Sequence, residues 1–109
     1  MLLRPEIYKC WEEALKRFGN AEKLSREGKL QEAANEAIFA VLFGCQAAKE
    51  LSKELKIPDL LVIADNISSD FFERTWEKHY TPKKMLEWAD TALKRLSAEI
   101  PPGILRPLR

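Results

Sequence analysis

Apolar residues recur at three- and four-residue steps in four separate blocks, the period of a helix that buries one face. The first block is Ile7, Trp11, Ala14, Leu15, Phe18 and Leu24. Pro5 suits the first turn of such a helix, which is expected to run to about Arg26 and to stop at Gly28. The second block continues from Leu30 through Ala33, Ala34, Ala37, Ile38, Val41, Leu42, Cys45, Ala48 and Leu51 to Leu55. Small residues at Ala33, Ala37, Ala40, Gly44 and Ala48 let a neighbouring backbone come close, and Phe39 and Phe43 extend the apolar surface beyond one stripe. This helix is therefore expected at the centre of the fold, contacted on more than one side.

The third block, Leu60, Ile63, Ala64, Ile67 and Phe71, follows the break at Ile57-Pro58-Asp59. A buried strand over 60–67 is the alternative, but a lone strand has nothing to pair with, so the pattern predicts a helix. Asn66, Ser68, Ser69 and Asp70 are polar and close together, and Asp70 with Glu73 has capping-box spacing, which predicts a kink or restart near Ser69. Thr81-Pro82 reads as an N-cap followed by a first-turn proline. Met85, Leu86, Ala89, Ala92, Leu93 and Leu96 then give a fourth helix to about Glu99.

Four helices joined by short turns predict an all-α, antiparallel up-down four-helix bundle over residues 1–100. Residues 101–109, rich in proline, form an irregular tail that cannot be helical. Its Ile104, Leu105 and Leu108 suit packing on the bundle or on a partner, and disorder is the other reading. Ala21, Leu24, Gly28, Leu30 and Ala33 resemble one half of a tetratricopeptide repeat, but a single copy has no neighbours with which to share a core.

A chain of 109 residues suits one domain with one core. With 18 Lys and Arg against 17 Asp and Glu there is no global field to attract a polyanion, so any such site has to be local. The charged fraction of 32% suits a surface laced with ion-pair networks. Cys10 and Cys45 lie far apart with no Cys-x-x-Cys or Cys/His cluster, and read as buried free thiols rather than metal or redox ligands. No stretch has the apolar length of a signal peptide or approaches the roughly 20 apolar residues of a membrane span, so a cytoplasmic protein with no membrane partner is expected. No cofactor is implied, because glycine-rich phosphate loops, a second histidine for a metal site and a Ser/His/Asp arrangement are all missing.

Candidate chemistry concentrates in Arg74-Thr75-Trp76-Glu77-Lys78-His79-Tyr80, which holds the chain's one histidine. Histidine exchanges protons near neutral pH, and arginine holds phosphate. On an ideal helix a five-residue offset sets two side chains about 140° apart. Pro82 disfavours helical backbone at Thr81, so the third helix is expected to end at His79 or Tyr80 and free the imidazole to turn toward Arg74. A histidine in a last turn faces the negative end of the helix dipole, which favours the protonated form. Phe72, Trp76, His79 and Tyr80 form a stripe beside the core stripe, available to a partner or to a stacked base. The plainer reading is equally complete: Arg74 lies four residues after Asp70 and three before Glu77, within reach of surface ion pairs, and His79 caps a helix.

The hairpin at Glu27-Gly28-Lys29-Leu30-Gln31-Glu32-Ala33, the alanine-rich second helix and the later Arg-x4-His together resemble the HEPN superfamily of small helical domains, over roughly residues 8–98. The resemblance implies a homodimer. It further implies a metal-independent endoribonuclease of toxin–antitoxin or defence type, with Arg74 and His79 as the catalytic pair of a site completed across the dimer. RNA or a nucleotide is the implied substrate, and a cognate antitoxin or a nucleotidyltransferase-like protein the implied partner. Thr75 stands where catalytic members most often carry asparagine, and Tyr80 adjoins the histidine instead of lying two positions on. The alternatives are a non-catalytic protein- or nucleotide-binding adaptor of the same fold and a purely structural helical dimer.

Overall fold

All four hydrophobic stripes fold as helices in the computed structural model, which describes residues 3–75 and 81–108, with the backbone alone for Arg74 and Thr75. They are α1 (Pro5–Arg26), α2 (Leu30–Leu55), α3 (Pro58–Thr75) and α4 (Pro82–Glu99). Gly28 ends α1 because the chain needs a left-handed residue there, at φ 80°. Around it the Lys29 N–H donates to the Leu24 carbonyl at 2.9 Å and the Gly28 N–H to Ser25 at 3.1 Å, the paired bonds of a Schellman closure. α2 ends in the same way, with the Ile57 N–H reaching the Ser52 carbonyl at 3.0 Å, but the left-handed residue is Lys56 at φ 54°. A β-carbon strains that conformation by about 1 kcal/mol. Lys56→Gly is accordingly expected to raise stability by about 0.5–1 kcal/mol, read as a higher urea midpoint with an unchanged slope.

α3 runs through Ser69 without a restart, contrary to the expectation from its polar cluster. The Ser68 hydroxyl donates to the Ala64 carbonyl one turn back at 3.0 Å, so it uses a helical acceptor instead of breaking the helix. Asp70 accepts a hydrogen bond from Trp88 of α4. The expected end of α3 at His79 or Tyr80 lies outside the described residues. α4 begins as its sequence predicts, with Thr81 extended at ψ 157°, its Oγ1 accepting the Lys84 N–H at 3.2 Å, and Pro82 in the first turn.

Cross-helix pairs set an antiparallel register. Arg4 pairs with Glu50 and Glu54, Arg17 with Glu36, Lys49 with Asp65, and Trp88 with Asp70, so positions fall along one helix as they rise along its neighbour. α2 is the central helix, packing against α1, α3 and α4. Its 26 residues give a rod of about 39 Å, close to the 42 Å long axis of the molecule. Gly44 explains how α4 comes so near: a β-carbon there would lie 3.1 Å from Leu93 and 3.4 Å from Leu96. The core joins Ile7, Trp11 and Phe18 of α1 to Ala37, Val41 and Leu51 of α2, Leu60 and Ile67 of α3, and Leu93 and Leu96 of α4.

Several apolar residues of α2, among them Leu30, Ile38, Phe39, Leu42 and Phe43, stay outside that core. Leu30 and Phe39 are exposed, and the Arg17 guanidinium lies 5.3 Å from the Phe39 ring centre and 5.9 Å from that of Phe43. Glu13 and Glu36 hold Arg17 over the rings, so one cation shields both from water. Cys10 and Cys45 are free thiols. Burial pushes the Cys45 thiol above its ordinary pKa, against the opposing pull of the Ser68 hydroxyl and Lys49. The thiol, not the thiolate, is then the form present near neutral pH. Cys45 is expected to resist iodoacetamide at pH 8 in the folded chain and to react fully in denaturant, read by mass spectrometry.

Residues 101–108 return along the bundle as a strap. Ile104, Leu105 and Leu108 pack against the core, and the Trp11 indole donates to the Arg106 carbonyl at 2.7 Å. Of the readings open for this segment, packing on its own bundle is the one observed.

Candidate functional site

The backbone of Arg74 lies at one end of the bundle, where α3 ends, and in sequence His79 falls on the segment before α4. Arg74 is in the last described turn of α3, and its side chain, like the whole of His79, lies outside the described residues. The six residues 76–81 connect the two helices and can span at most about 21 Å, so the C-terminus of α3 and the N-terminus of α4 share this end.

The framework beneath this end is aromatic. Phe71 and Trp88 stack at 5.9 Å with an interplanar angle of 29°, and Phe72 meets Phe71 edge-on at 5.5 Å. The Trp88 indole N–H donates to Asp70 Oδ2 at 2.5 Å, a charge-assisted bond that ties α4 to α3 one turn before Arg74. Phe72 is 61% exposed, and Val62 on the same helix is 55% exposed, so α3 carries apolar surface outside the core. The sequence predicts that outward surface for Phe72 from its place beside the core stripe.

Charge at this end is mixed, with Asp70 and Glu73 on α3 and two lysines opening α4. Lys83 and Lys84 occupy the first turn of α4, which has no acidic residue, and both are exposed. Cations there oppose the positive end of the helix dipole and cost a few tenths of a kcal/mol, while adding to the positive potential beside the 76–80 segment. Neither lysine forms an ion pair among the described residues. A cleft of about 360 Å³ continues from this point between α3 and α4, with Ile67 and Ala92 as its apolar lining and Asn66, Asp70, Trp88 and Arg95 around them. Arg95 is exposed and makes no ion pair among the described residues.

Asn66, Trp88 and Arg95 escaped the sequence reading as site residues. Nothing local marks them, because only the register of α3 against α4 brings them together. Among the described residues no group of three His, Cys, Asp or Glu side chains is placed to hold a metal ion, and no helix is long and apolar enough to cross a membrane.

The fold is an all-α four-helix bundle. Against known proteins, no family model, no curated protein and no solved structure matches the chain.

Proposed function

We propose that the chain is a HEPN-like endoribonuclease that cleaves RNA without a metal ion, with Arg74 and His79 as its catalytic residues and a homodimer as its working form. The observation that carries this reading is the clustering in sequence of cations near the chain's one histidine, with Arg74 at the end of α3, Lys83 and Lys84 in the first turn of α4, and Glu73 and Glu77 interspersed. Metal-free cleavage needs a base to take the 2′-hydroxyl proton, an acid to protonate the departing 5′-oxygen, and a cation beside the phosphorus as charge builds on its oxygens. One imidazole serves one of the two proton transfers at a time. A two-fold dimer supplies a second histidine and a second arginine to the same groove. The exposed Phe72 and Val62 on α3 support such an interface, since large apolar side chains on a helix surface are commonly covered by a partner.

The same exposed surface favours a second reading, a non-catalytic adaptor whose α3 face docks a partner such as a nucleotidyltransferase-like protein or an antitoxin. A cleavage assay in EDTA on unstructured RNA separates the two. The ribonuclease reading expects product from the wild-type chain with chelator present, and absence of product at all enzyme concentrations leaves the adaptor. Light scattering is expected to give the mass of two chains. A clean monomer at assay concentration contradicts the shared site.

A further inference from the structure

The C-terminal strap sits on the bundle as a peptide sits in a receptor groove. Trp11 of α1 is only 1% exposed, and its indole N–H reads a main-chain carbonyl, that of Arg106, at 2.7 Å. The Arg106 guanidinium grips both carboxylate oxygens of Glu12, at 3.0 Å from Nε and 2.5 Å from Nη2. Leu105 and Leu108 lie on the core to either side, and Pro107 faces Ser97 and Ala98 of α4. An aromatic N–H to a carbonyl, a carboxylate for an arginine and an apolar floor for a proline-containing segment are devices also used in peptide recognition.

Two further observations separate docking from core packing. Among the described residues, one main-chain bond ties the strap to itself, from the Ile104 N–H to the Pro101 carbonyl at 3.4 Å, so contacts with the bundle hold most of it. A cleft of about 390 Å³, partly open to solvent, also lies where strap residues Pro101, Leu105 and Pro107 meet Trp11, Ser97 and Ile100, so the strap does not close fully onto the bundle.

We propose that this α1–α4 groove is a peptide-docking site, filled here by residues 104–108 of its own chain and able to take the same segment from a second copy, giving a strap-exchanged dimer. The occupant follows from the contacts. Every group that reads the strap belongs to this chain, so exchange keeps the indole–carbonyl bond, the Arg106–Glu12 pair and the leucine contacts unchanged. The connection between α4 and the docked residues is Pro101-Pro102-Gly103, in which Pro102 and Gly103 are exposed and Gly103 turns the chain at φ 83°. A change at that one turn redirects the strap outward. Only the effective concentration of the tethered segment favours the same-chain arrangement. This proposal stands on the groove alone and is independent of the ribonuclease reading.

A charge-swap mixing experiment on full-length chains tests it. Arg106→Glu sets the strap against Glu12 of its own chain, and Glu12→Arg sets the groove against Arg106 of its own. When the two variants are mixed, each strap finds an opposite charge only in the other chain. Both substitutions are at exposed positions, and circular dichroism checks that both variants keep their helices. With the chains carrying donor and acceptor dyes, the mixture is expected to associate at a concentration at least tenfold below that of either variant alone, since two repulsive pairs become two attractive ones. A dimer through α3 is indifferent to this swap and gives equal association in all three samples. Equal association overturns the proposal, and so does a mixture that associates more weakly than either variant.

Discussion

Trp11→Ala is expected to cost about 3–5 kcal/mol, the largest loss from any single side chain in the bundle. A domain of this size has on the order of 5–15 kcal/mol to lose, so the variant sits at the edge of unfolding at 25 °C. The indole joins three parts of the molecule. It is buried in the face of α1, it lies beside the Gly44 position on α2 where a β-carbon would be 3.8 Å from its ring, and it donates to the strap. Truncation therefore opens a cavity at the point where α1, α2 and α4 meet and frees the strap's carbonyl to water. Trp11→Phe keeps most of the volume and removes the N–H. It is expected to cost about 1 kcal/mol for the lost bond, plus whatever the smaller ring leaves unfilled. Urea denaturation followed by far-ultraviolet circular dichroism measures both, and a loss below 1 kcal/mol for Trp11→Ala contradicts the placement of this residue at the centre of the core.

His79→Ala carries the largest expected effect on activity. Loss of a positioned acid or base lowers a rate about 10²–10⁴-fold, and in a two-fold site the substitution removes both histidines at once. Arg74→Ala is expected to fall by about 10²–10³-fold through lost stabilisation of the charged phosphorus centre. Stability is expected to change by less than about 0.5 kcal/mol for His79→Ala if the residue acts in chemistry and does not support the fold. A wild-type pH–rate profile with two limbs near neutrality is the signature of one imidazole acting as base and the other as acid.

The bundle was legible because each helix carried its own local signals. Gly28 supplied the left-handed closure, Thr81-Pro82 supplied a cap and a first turn, and the small residues of α2 foretold the central helix that Gly44 brings against Leu93 and Leu96. The expected break at Ser69 failed because local polar competition was weaker than the packing of Leu60, Ala64 and Ile67 on one face, and the Ser68 hydroxyl found an acceptor inside the helix. The strap was legible in its apolar residues, Ile104, Leu105 and Leu108, but not in its placement. Its place depends on a hydrogen bond between residues 95 positions apart, which no periodicity encodes. Spacing and resemblance marked Arg74 and His79, whereas the Asp70–Trp88 bond and the cleft at Arg95 exist only through the register of α3 against α4.

The most direct test of the shared Arg74–His79 site compares the wild type with His79→Ala on one RNA, in EDTA, with both proteins shown to be folded and of equal mass. The site as proposed gives cleavage by the wild type and a rate at least 100-fold lower for the variant. Equal cleavage by both, or cleavage by neither, contradicts it.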